Sequence, residues 1–88
     1  MAIVHVPPQM RELTGGRAQV EAEGENLRQL VANLETSYPG FQDRLTRDEM
    51  VAPGLAVSID NVVTSKGLFA EIKPDSVVHI VPAISGGL

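Results

Sequence analysis

The chain has no cysteine, no tryptophan, one tyrosine and two phenylalanines among its 88 residues. Without cysteine there is no disulfide to staple a small fold, and no thiolate to hold a metal. Lysine is scarce: Lys66 and Lys73 stand with five scattered arginines, and the formal net charge is −4. Phosphate backbones are held by patches of Lys and Arg, so this balance argues against nucleic acid as a partner. No apolar run approaches the roughly 20 residues that cross a bilayer. The opening MAIVHVPP lacks the basic region and long apolar stretch of a secretion signal. A cytoplasmic chain with no membrane contact is expected. Its hydrophobic fraction, 43%, supports one modest core in a single domain near the lower size limit for unstapled folding.

Hydrophobic periodicity divides the chain. AIVHVP is β-branched and bounded by Pro7-Pro8, which reads as a strand with Val4 and Val6 on one face and Ile3 and His5 on the other. QMRELTGG is expected to make one turn before Gly15-Gly16. RAQVEAEG then alternates Ala18, Val20 and Ala22 against Arg17, Gln19 and Glu21, the pattern of a half-exposed strand. Asn26 and Gln29 carry a capping-box pattern, and Leu27, Leu30, Val31, Leu34 and Tyr38 form one apolar helical stripe ended by Pro39-Gly40. FQDRLTRDEMVAPG reads as a charged loop with a short helical turn anchored by Phe41 and Leu45. LAVSIDNVV alternates again, with Leu55, Val57 and Ile59 inward and Asp60-Asn61 as a tight turn. Leu68 and Ile72 read as plugs, Pro74-Asp75 as a turn, and VVHIVP as the last strand.

The order β-β-α-β-β with one main helix has an economical solution. A mixed sheet of four to five strands curls around the helix, with the first and last strands side by side in its centre. This α+β arrangement is the β-grasp, or ubiquitin-like, fold. One helix covers one sheet face. The other face, bearing Ile3, His5, Val77, His79 and Val81, is expected to stay open as a partner-binding patch. The β-grasp domain is expected over residues 1–82 and a C-terminal tail over 83–88.

That tail, AISGGL, is the most informative stretch. Gly86-Gly87 directly after a core strand can enter a channel too narrow for side chains, because glycine has no Cβ. An idle terminus is the plainer alternative. Extended residues around Ile84 would carry the pair away from the domain and against a partner. Other motifs are weak. His5 and His79 on neighbouring strands lack a third metal ligand and read as binding-face residues. Asp43, Asp48 and Glu49 lack EF-hand spacing and read as solvated loop charges. Gly15-Gly16-Arg17 lacks the Lys-Ser/Thr of a phosphate loop. With no catalytic pattern, the chain is expected not to be an enzyme, and neither a metal nor a bound cofactor is expected.

RELTGGRAQVEAEGENLRQLVANLE, KPDSVVHIVPAISGG and the Pro-small/apolar-Gly-Gly ending resemble the MoaD/ThiS family of ubiquitin-like sulfur carrier proteins over almost the whole chain. TGGR and LVANLETSYPG point toward the cysteine-synthesis type, beside the molybdopterin and thiamine types. The resemblance implies that an E1-like adenylating enzyme uses ATP to activate the carboxylate of Gly87. A sulfur nucleophile would then displace AMP and leave a thiocarboxylate, which a sulfur-accepting synthase consumes. Gly86 would provide access to the enzyme's channel. Because the sulfur rides on the backbone, no cysteine is needed. Leu88 departs from the pattern, since it holds the Gly87 carboxyl in a peptide bond. Family precursors suggest its removal by a zinc metallopeptidase. The alternative is a ubiquitin-like modifier or a non-catalytic interaction subunit.

Overall fold

Alternation sets the first strand. In the computed structural model, which describes residues 1–64 and 66–82, β1 (Ala2–His5) buries Ala2 and Val4 and leaves Ile3 and His5 half-buried. Pro7-Pro8 then stops the sheet, since proline has no N–H to donate. In place of the expected single turn, Pro8–Thr14 forms a seven-residue 3-10 helix. Proline fits its first position, where the N–H would have no partner anyway. Met10 and Thr14 are buried within it. Arg11 secures it by donating from Nε to the Val6 carbonyl at 3.0 Å. Gly15 closes it at φ 66°.

β2 (Gln19–Ala22) pairs antiparallel with β1 and buries Val20 and Ala22. Ala18, expected inward, is exposed and precedes the strand. α1 (Leu27–Ser37) starts at Asn26, whose side chain accepts the Gln29 N–H at 2.9 Å. The reciprocal bond is displaced by one residue: Gln29 Oε1 accepts from the Glu25 N–H rather than from Asn26. Leu27, Leu30, Val31 and Leu34 are buried, and Tyr38 packs partly against the core. Gly24 lets the chain cross this helix closely, because a Cβ there would stand 2.6 Å from the Leu30 backbone nitrogen.

The segment read as a charged loop contains more structure. α2 (Phe41–Leu45) buries Phe41 and Leu45, as expected of its anchors. Glu35 accepts the N–H groups of Gly40 and Gln42 at 3.0 and 2.8 Å, and these bonds hold its carboxyl below the usual range. A hairpin of β3 (Thr46–Arg47) and β4 (Met50–Val51) follows, with Asp48 and Glu49 at φ 53° and 65°. Glu49 pairs with Arg28 of α1 at 2.8 Å, an exposed contact of small energetic value.

β5 (Leu55–Ile59) and β6 (Val62–Val63) form a hairpin around Asp60-Asn61, both at positive φ, the backbone of a tight hairpin turn. Val57 is buried, while Leu55 and Ile59 are half-buried. Leu68 and Ile72 enter the core, and β7 (Val77–Pro82) matches the expected last strand. The sheet order is β2-β1-β7-β5-β6, with β1 and β7 parallel and the other pairs antiparallel. Val4, Val57, Val78 and Ile80 share a core with the α1 stripe. Each buried aliphatic side chain contributes about 1.5–3 kcal/mol relative to exposure. This five-stranded mixed sheet around one main helix is the β-grasp fold.

Candidate functional site

Strand pairing sets out the open face row by row. His5 stands beside His79, as Ile3 stands beside Val77, across the parallel β1–β7 pair. Antiparallel neighbours extend both rows. Gln19 lies opposite His5, Glu21 opposite Ile3, and Ser58 opposite His79, with Val63 beyond Ser58. A third row joins Val81 to Ala56. Ile3, His5, Val77 and His79 are half-buried, and Val81 is 42% exposed. The structure thus brings together these five residues singled out from the sequence. Gln19, Ala56, Ser58 and Val63 join them. The alternation in LAVSI held the signal for Ala56 and Ser58, but their place beside β7 depends on pairing distant in sequence.

The two imidazoles stack in nearly parallel planes, with centroids 4.3 Å apart and an interplanar angle of 3°. Such planes do not aim their in-plane lone pairs at one point, so the pair is poorly arranged to chelate an ion. Among the described residues, no group of three or more His, Asp or Glu side chains could hold a metal.

Asp60 anchors one end of the face. Its carboxylate accepts the Val77 N–H and the Ser76 hydroxyl, both at 2.9 Å. These bonds, with Lys73 nearby, hold its carboxyl below the usual range against a smaller effect of burial. Ser76, itself buried, also accepts the Lys73 N–H at 2.9 Å. The β5–β6 turn is thereby tied to the start of β7. The sequence alone shows only a turn here, because the partners lie 16 and 17 residues away. At the other end of β7, Pro82 pairs with Leu55 and leads into the tail. Ile84, Gly86, Gly87 and Leu88 lie outside the described residues.

A β-grasp sheet with one covered and one open face defines the ubiquitin-like class. The ThiS family profile matches residues 4–87, and the chain belongs to that family. It is 33% identical over 91 residues to the sulfur carrier protein CysO of Mycobacterium tuberculosis, with 96% of each chain covered. The crystal structure of Mycobacterium tuberculosis CysO, described as an antigen, superposes with a TM-score of 0.89 at 27% identity, covering 96% of this chain and 100% of that one. A chain from the Amycolatopsis orientalis BexX/CysO complex gives a TM-score of 0.90 at 30% identity, covering 99% and 100%. The curated relative is named a sulfur carrier protein. Among the described residues, no helix is long and apolar enough to cross a membrane.

Proposed function

We propose that the chain is a cytoplasmic sulfur carrier that holds its cargo as a thiocarboxylate on Gly87 and delivers it to a synthase in cysteine biosynthesis. The observation that carries this reading is Gly86-Gly87 placed shortly after the last strand of a ThiS-family chain. Adenylation by an E1-like enzyme joins the carboxylate to the α-phosphate of ATP, releasing pyrophosphate and leaving an acyl-AMP. A sulfur nucleophile then attacks the acyl carbon and AMP leaves. In the chain ending at Leu88, Gly87 has no free carboxylate, so hydrolysis of the Gly87–Leu88 bond, assigned to a zinc metallopeptidase, comes first.

The activating enzyme would dock on the open sheet face. Residues 83–87 can extend at most about 18 Å beyond Pro82. An enzyme closed on Gly87 therefore stands near the end of β7, beside Val81. The face offers it Ile3, Val77, Val81 and the histidine pair, with Ile84 as a further contact from the tail.

The test compares chains ending at Gly87 and at Leu88 with an E1-like adenylating enzyme from the same organism. The shorter chain should support ATP–pyrophosphate exchange and, given a sulfur source, gain the mass of sulfur replacing oxygen. The longer chain should do neither. Equal exchange by both would remove the processing step, and no exchange by either would overturn the carrier reading.

A further inference from the structure

The central row of the open face differs from its neighbours because its two middle members are ionisable and in contact. His5 and His79 are side by side by strand register, and their rings stack at 4.3 Å. Their row contains Gln19 on β2, Ser58 on β5 and Val63 on β6, none of them charged. The carboxylates facing this side stand in the adjoining row. Glu21 lies opposite Ile3, while both Asp60 oxygens are engaged by Val77 and Ser76. On β7 the flanking outward residues are Val77 and Val81, and α1 packs against the opposite face. Among the described residues, the stack therefore has only uncharged neighbours, and no counter-ion, in its own row.

We propose that the His5–His79 stack is a proton-sensitive contact: the activating enzyme seats on this face when both rings are uncharged, and association weakens as pH falls. This inference rests on the docking reading above. Neutral parallel imidazoles offer a flat surface continuous with Ile3, Val77 and Val81. A protonated ring retains water that docking would have to remove, at a cost unless the partner supplies a counter-charge. A second proton adds repulsion between like charges within a single stack, and removal of solvent strengthens it. Docking is thus linked to release of any protons the pair holds. Each released proton changes affinity by up to about tenfold per pH unit.

The experiment measures affinity of the Gly87-ended chain for the same E1-like adenylating enzyme at about pH 8 and about pH 5.5, across the range where histidine charge changes. Wild type should bind about tenfold or more weakly at the lower pH. The His5→Phe/His79→Phe double variant, whatever its affinity at the higher pH, should lose the excess pH dependence, which is read as the ratio of its affinities at the two pH values. What remains belongs to the enzyme's own groups. Circular dichroism at both pH values checks folding, and His79→Gln, neutral and polar, is a second variant with the same expected direction. The same pH dependence in wild type and variants would overturn the proton contact. No binding by any form at the higher pH would overturn the docking reading itself.

Discussion

Val4 and Val78 stand in register across β1 and β7, and each is 0% exposed. One position along both strands, His5 and His79 are also in register but are half-buried on the opposite face. The same ladder of backbone bonds supports both pairs. What distinguishes them is α1, whose apolar stripe covers one face. Residues toward the helix determine whether the sheet holds together. Alternate residues facing away are released from that duty, and substitutions there are usually cheap for stability. One short strand can thus carry a core and a recognition surface at once, because successive side chains point to opposite faces.

Truncating the covered side tests that contrast most severely. Leu34 is 1% exposed in the middle of the α1 stripe. Leu34→Ala should lower stability by about 2–5 kcal/mol, the combined loss of burial and the cavity left behind. A small domain has only about 5–15 kcal/mol in all, so Leu30→Ala, at an equally buried position, should also give a visibly earlier unfolding transition. Urea denaturation followed by circular dichroism measures both. An unchanged midpoint would mean that the division between the two faces is not what stabilises the fold.

Asp60 tests the end of the sheet where the faces meet. Its folded carboxyl is held below the usual range by the Val77 and Ser76 hydrogen bonds. A lowered folded pKa gives stability that is present above the unfolded value, about 3.9, and is lost as pH falls through the folded one. In Asp60→Asn only one side-chain oxygen remains to accept. The variant should be less stable than wild type at neutral pH, and the difference should shrink below about pH 4. Denaturation midpoints at several pH values measure this. A constant gap down to acid pH would show that Asp60 contributes through turn geometry rather than charge.

Much of this architecture was legible because its signals are local. Asn26 and the spacing of Leu27, Leu30, Val31 and Leu34 identify α1, and Asp60-Asn61 identifies the turn after β5. Proline boundaries delimit the first and last strands. The β3–β4 hairpin was not legible: its tip, Asp48-Glu49, needs positive φ at Glu49, a residue that seldom adopts it. Nor was the 3-10 helix that begins at Pro8, whose buried Met10 and Thr14 gain their setting from tertiary packing. The open face was readable in outline from alternation. The ring stack and the Asp60–Ser76 bond were not, since register between distant segments creates them.

The smallest expected effect on stability comes from the uncovered side. Val81 is exposed on the outward face, one row beyond His79, and pairs with Ala56. In the free domain, the carboxylate of Val81→Glu would remain in water, so stability should change by no more than about 0.5 kcal/mol. In the complex it would be stripped of water against an apolar partner surface, which is costly unless a cation meets it. The variant should therefore unfold like wild type while binding the adenylating enzyme at least about tenfold more weakly, the scale of a central interface contact. Titration calorimetry beside a denaturation curve separates the two effects. Equal affinity would place recognition in the tail alone and leave the open face without its proposed task. A large loss of stability would instead show that Val81 belongs with Val4 and Val78 in holding the sheet together.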